Sequence, residues 1–304
     1  MGGEVVDPGI VIGIDGSPGS DAALKWAVQE ATMRNVALTV VHAAAYVPDA
    51  APKAEWFGDP APDELLQQLD TRAQQVLADA VQIVKDATGD HRLRIIHELS
   101  SQSPVPALVE LSRKADLVVV GSRGQGLVKR MLLGSVSTGL VHHAHCPVAV
   151  VPSEVPPPVE GPVVVGIDGS PASELATAIA FDEASWRGAE LVALHAWTDA
   201  EVPAAANRDW TGTTRTSWSE LQAAADETLA ERLVGWRERY PDVVVRRVVV
   251  VNRATQHLIE HAESAQLVVV GSHGRGGFSG MLLGSVSTAV VHAVRAPVIV
   301  ARQG

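Results

Sequence analysis

Apolar positions along the chain follow two rhythms. Short, near-continuous runs read as buried strands: IVIGI (10–14), ALTVVHA (37–43), LRIIHEL (93–99), DLVVVG (116–121) and PVAVV (147–151). Between them the spacing is helical. Ala22, Ala23, Trp26, Ala27 and Ala31 recur at three and four residues, and similar patterns run from about Asp63 to Ala87 and through PVPALVELSRKA (104–115). The first run stops at Asp15-Gly16-Ser17-Pro18, where Ser17 is placed to cap a helix with Pro18 at its first position. Strands rich in Val and Ile that alternate with helices predict a parallel sheet covered on both faces.

The pattern then repeats. VIGIDGSPGSDAALKWAVQEA (11–31) matches VVGIDGSPASELATAIAFDEA (164–184), LTVVHAAA (38–45) matches LVALHAWT (191–198), and DLVVVGSRGQG (116–126) matches QLVVVGSHGRG (266–276). The octapeptide MLLGSVST stands at both 131–138 and 281–288. A constant order at an offset near 150 predicts a tandem of two similar domains rather than a short-period solenoid. The expected boundaries are 1–152 and 163–304, joined by an extended, Pro-rich linker at 153–162. Each half is expected to be a doubly wound α/β domain with a mainly parallel five-stranded sheet and helices on both faces.

Composition narrows the function. Of 304 residues, 46% are apolar and 19% charged, enough for two well-buried cores. The net charge of −11 divides as −5 for 1–152 and −6 for 153–304, so neither half offers an electrostatic footprint for nucleic acid. No apolar run approaches the roughly 18 residues of a membrane helix, so no membrane insertion is expected. MGGEVVDPG lacks the basic and apolar regions of a leader, and the single cysteine, Cys146, fits a reducing compartment; a cytoplasmic location is the expectation.

Ligands of open α/β sheets sit beyond the carboxyl ends of the strands, where strand order reverses. Two such ends carry suitable residues in each half: Asp15 and Asp168 after the first strand, Gly121 and Gly271 after the Val-rich strand. From Gly121 the frame runs two residues to Gly124, then nine to Gly134-Ser135; from Gly271 it runs two to Gly274, then nine to Gly284-Ser285. Glycines admit close backbone approach to an anion, and the following helix start favours negative charge. The frame is neither GxxxxGK[ST] nor GxGxxG, and the second half has no lysine. Arg123, Lys129, Arg130 and Arg275 are candidate charge partners that the two copies do not share, which favours binding over phosphoryl transfer. His142, His143 and His145 beside Cys146 suggest zinc, but four ligands crowded on one short segment would strain to reach a tetrahedron, so a helix end beside a small buried Cys is expected instead. His42 and His195 read as strand-end packing residues, and the segment around Trp210 and Trp218 as a lid or local core.

The G-x2-G-x9-G-[ST] frame after a Val-rich strand, with the I-D-G-S start and the V-V-H-A second strand, resembles the ATP-binding branch of the universal stress protein family in tandem form. The resemblance covers nearly the whole chain. It implies one adenine nucleotide per domain, ATP with Mg2+. The first site would comprise Asp15, Ala43, Gly121, Gly124, Gly134, Ser135, Val136 and Ser137. The second would comprise Asp168, Ala196, Gly271, Gly274, Gly284, Ser285, Val286 and Ser287. The aspartates would meet the nucleotide through a ribose hydroxyl or a metal. It further implies pairing through the last strands, here open to 147–151 and 297–301 of one chain, a homodimer, and a stress-response role for a regulator with a protein partner. A slow ATPase or autokinase, or a scaffold with residual sites, are the alternatives.

Overall fold

The computed structural model describes residues 7–44, 55–56, 59–60, 63–89, 93–124, 133–153, 160–197, 218–275 and 283–302. Lys129, Arg130, Trp210 and most of the Pro-rich linker lie outside these residues. The chain divides into two compact units, one reaching residue 156 and the other spanning 157–301.

The first unit has five main strands, β1 (Ile10–Ile14), β2 (Leu38–Ala43), β3 (Ile95–Ser100), β4 (Leu117–Gly121) and β5 (Val148–Val151). Its helices are α1 (Pro18–Arg34), α2 (Asp63–Thr88), α3 (Pro104–Leu111) and α4 (Ser135–His143). The strands lie in the order β3-β2-β1-β4-β5, all parallel, with Ile10 opposite both Leu38 and Leu117. From β1 the chain moves one way to β2 and β3, then crosses back to β4 on the other side of β1. With right-handed crossovers this puts α1 and α2 on one face and α3 and α4 on the other. The packing agrees: α1 lies against α2 and α3 against α4. Apart from the edge strand β3, the strands are buried on both faces; Ile10, Val11, Ile12, Val118, Val119 and Val148 have no exposed surface.

The second unit repeats this with β6 (Val163–Gly166), β7 (Leu191–Trp197), β8 (Val245–Val251), β9 (Leu267–Gly271) and β10 (Val298–Ala301). Its helices are α5 (Pro171–Arg187), α6 (Trp218–Arg239), α7 (Ala254–Ala262) and α8 (Ser285–Ala293). The parallel order is β8-β7-β6-β9-β10.

The helix that follows each first strand starts as its sequence predicts. Ser17 and Ser170 are extended N-caps whose side chains accept from Ser20 N and Ser173 N, and a proline fills the first turn. One helix is shorter than its pattern. α3 ends at Leu111, not Ala115, because Ser112 turns its hydroxyl to Val109 O (2.6 Å) and accepts His145 N–H (2.9 Å), while Arg113 N–H and Lys114 N–H make tighter three-residue bonds.

Candidate functional site

The reversal of strand order in the first unit falls between β1 and β4. Beyond the carboxyl ends of β1 and β4 lies a cavity of ≈ 510 Å3, and beyond those of β6 and β9 in the second unit one of ≈ 350 Å3, sizes suited to a small ligand. All eight positions expected from the sequence line the cavity of their own unit: Asp15, Ala43, Gly121, Gly124, Gly134, Ser135, Val136 and Ser137 in one, Asp168, Ala196, Gly271, Gly274, Gly284, Ser285, Val286 and Ser287 in the other.

Each carboxylate is aimed by its own turn. Asp15 Oδ1 accepts Ser17 N–H at 3.0 Å, and Asp168 Oδ1 accepts Ser170 N–H at 2.9 Å. The residue between them is glycine at φ 76° (Gly16) and 77° (Gly169), a left-handed conformation that other residues resist. The second oxygen faces the glycine turn. A Cβ at Gly124 would collide with Asp15 Oδ2, and one at Gly274 would lie 2.6 Å from Asp168 Oδ2. In the second unit that oxygen also accepts Arg275 N–H at 3.2 Å.

The strand-two histidines hold this end of the sheet together. His42 Nδ1 lies 2.9 Å from Ile14 O, and His195 Nδ1 lies 2.7 Å from Ile167 O. A carbonyl only accepts, so Nδ1–H donates in both. The bond keeps Ala43 and Ala196 beside the aspartate turn, with His195 itself buried.

The opposite wall is a helix start. Gly134 and Gly284 are the extended N-caps of α4 and α8, and neither supplies a side-chain cap. The first helical bonds are Thr138 N–H to Gly134 O (3.0 Å) and Thr288 N–H to Gly284 O (2.9 Å). The amides of Ser135, Val136 and Ser137, and of Ser285, Val286 and Ser287, are therefore the donors that such a turn leaves over. The serines divide their work. Ser137 is buried and donates to Ser122 O (3.2 Å) or Gly134 O (3.0 Å); Ser287 is buried and donates to Gly271 O (2.5 Å). These hydroxyls fasten the helix start to the glycine turn. Ser135 and Ser285 are exposed to the cavity.

An apolar wall was not read from the sequence. Ile14, Val41, Pro104 and Leu108 line the first cavity, and Ile167, Leu194, Ala254 and Leu258 the second. A signal for it existed in the i, i+4 pairs Pro104/Leu108 on α3 and Ala254/Leu258 on α7, positions whose spacing also fits a core. Both are true of Leu108 and Leu258, each 2% exposed. Among the described residues no three His, Cys, Asp or Glu side chains form a metal pocket, and each cavity is lined by one carboxylate.

Compared with known proteins, the model of the universal stress protein family matches residues 9–152 and again 161–302. A universal stress protein of Mycobacterium tuberculosis (strain ATCC 25618 / H37Rv) is 52% identical over 299 residues, 97% of each chain. Another from the same strain is 46% identical over 299 residues, 97% of this chain and 96% of that one. Among solved structures, a universal stress protein from Archaeoglobus fulgidus DSM 4304 matches with a TM-score of 0.70 at 21% identity, covering 98% of this chain and 99% of the other; at that identity the likeness concerns the fold.

Proposed function

The chain belongs to the universal stress protein family, and from that premise we propose that each unit binds one ATP and that the protein acts as a cytoplasmic stress-response regulator rather than a fast catalyst. What supports this is one juxtaposition, present twice: an apolar wall, a fixed carboxylate, and a helix start with three orphan amides around a single cavity. The apolar wall suits a base. The carboxylate accepts from a sugar hydroxyl and repels phosphate, so it belongs at the nucleoside end. The amides of Ser135–Ser137 and Ser285–Ser287 favour the phosphates, each helix-terminus contact contributing roughly 0.3–1 kcal/mol. With one carboxylate per cavity, Mg2+ would enter coordinated mainly by the phosphates, the usual mode of an ion that keeps several waters. When bound, Mg-ATP supplies a phosphate chain whose charge the cavity can sense.

Denaturing the purified protein and counting the nucleotide released tests this. About two ATP per chain are expected, falling to about one in Gly124→Ala or Gly274→Ala, because each new methyl group displaces a carboxylate oxygen. No nucleotide, and no binding on adding Mg-ATP, would reject it in favour of a protein-interaction scaffold. ADP formed no faster than in buffer is expected; turnover above buffer that is lost in the Gly124→Ala/Gly274→Ala double variant would point to a slow ATPase instead. The family reading also carries a homodimer and a regulatory protein partner, and sedimentation with and without ATP tests the first.

A further inference from the structure

The turn that carries Asp168 is held by a chain of hydroxyls. Asp168 N–H donates to Ser173 Oγ at 3.0 Å, Ser173 N–H donates to Ser170 Oγ at 3.2 Å, and Ser170 Oγ donates to His273 O at 3.2 Å. A further contact reaches the turn from α6. A Cβ at Gly169 would collide with the central carbon and both terminal nitrogens of the Arg232 guanidinium, so that group lies against the residue next to Asp168. The same arginine donates through Nη1 to Glu174 Oε1, in the first turn of α5, at 3.4 Å. One side chain thus joins α6 to the aspartate turn and to the helix that the turn begins.

Packing alone does not account for Arg232. Its side chain is 30% exposed, yet Nε is buried and meets no acceptor among the described residues. A buried N–H without a partner disfavours the folded state, so stability does not explain an arginine here. Nor is it among the residues that line the cavity. On α2 the residue three on from buried Leu77 is Ala80; on α6 the residue three on from buried Leu229 is Arg232. We infer that Arg232 is a positioning residue of the second site, whose guanidinium packs the Gly169 turn from outside the cavity and so keeps the Asp168 carboxylate turned toward a ligand's sugar hydroxyl. This rests on the nucleotide reading of that cavity. The bond from Ser170 N–H to Asp168 Oδ1, at 2.9 Å, spans Gly169, so a movement of the glycine moves the carboxylate. Hydrogen bonds weaken steeply with angle, and a small turn of the carboxylate is felt at the hydroxyl it accepts from. A planar guanidinium suits the task, because it can lie against backbone while its edge donates; an ammonium is a compact point charge.

The test uses the full chain carrying Gly124→Ala, so that the second site alone reports. Calorimetric titration with Mg-ATP and with the magnesium complex of 2′,3′-dideoxy-ATP separates the sugar contact from the rest of the site. Adding Arg232→Ala should weaken Mg-ATP by roughly three- to ten-fold and the dideoxy nucleotide by less than about two-fold. Arg232→Lys keeps the stem and the charge but not the plane, and should show the same hydroxyl-dependent loss. In the chain carrying Gly274→Ala, where the first site reports, Arg232→Ala should change neither affinity. Equal losses for the two ligands mean that the arginine merely supports the fold of its unit, and overturn the inference. So does undiminished Mg-ATP affinity in the alanine variant or in the lysine variant. Equal affinity of the two ligands for the Gly124→Ala chain removes the sugar contact, and the inference with it, while leaving nucleotide binding intact. No binding of Mg-ATP by the unsubstituted chain overturns both.

Discussion

Cys146 shows how much a residue's surroundings decide about its chemistry. The cysteine follows three histidines within five residues, a composition that invites metal or redox chemistry. In the fold it is 7% exposed, its Sγ–H donates to Pro147 O at 3.4 Å, and burial pushes the thiol up to about 12. The thiolate is the nucleophile, so this group is nearly inert at neutral pH. A disulfide reagent at about pH 8 should find no reactive thiol in the native protein and one per chain in denaturant, with the native rate lower by about 100-fold or more. Rapid labelling of the native chain would contradict the burial. Asp15 and Asp168 make the opposite case. One oxygen of each carboxylate is fixed by a backbone N–H two residues on, within a turn that glycine permits, so the local sequence sets that part of their aim.

At the scale of the element, α1 and α5 bury more than an apolar stripe. Of the stripe that spacing predicts, Ala23, Trp26, Ala27 and Ala31 are buried and Ala22 is half-buried, but Leu24 and Glu30, outside it, are inaccessible too, both at 0% exposure. The Glu30 carboxylate meets Arg34 one turn on at 3.1 Å; in α5 the pair Glu183–Arg187 repeats this at 3.0 Å. Each arginine sits in the last turn, where the helix dipole also favours a cation. The sequence holds the sign of this pair, an acid four residues before an arginine in both copies, but not its burial. Removing the glutamate leaves a cation with little access to water. Glu30→Ala should destabilise the first unit by about 3 kcal/mol, measured by denaturant unfolding. A loss within about 0.5 kcal/mol, as at an exposed pair, would show that Arg34 reaches solvent easily.

For the whole molecule, the two proposed sites, one in each compact unit, would make stability a reporter of binding. A ligand that binds the folded state alone stabilises it by RT ln(1 + [L]/Kd), about 2.7 kcal/mol at a hundred times Kd. Mg-ATP should therefore raise the thermal midpoint of the unsubstituted chain. In Gly124→Ala the unfolding of the first unit should no longer respond while the second still does, and the reverse should hold for Gly274→Ala. A shift of the same size in the double variant would mean that ATP binds elsewhere.

The sequence by itself determined the tandem, the alternation of strands and helices, and the two glycine frames. Each is a local record: period-two and period-3.6 patterns fix elements, Ser-Pro and Gly-Ser fix helix starts, and glycine marks turns and close approaches. Tertiary structure decided what converges. Asp15, Ala43, Gly124 and Ser135 stand on four separate segments, and they share a cavity because the strand order 3-2-1-4-5 brings the ends of β1 and β4 side by side. The apolar wall of Leu108 and Leu258, the inward-turned hydroxyls of Ser137 and Ser287, and the burial of Glu30 are products of that convergence. No residue's immediate neighbours encode them, because a side chain's surroundings come from strands and helices tens of residues away. Arg232 lies between the two cases: the arginine is written in the sequence, but its place against the aspartate turn is a property of the fold.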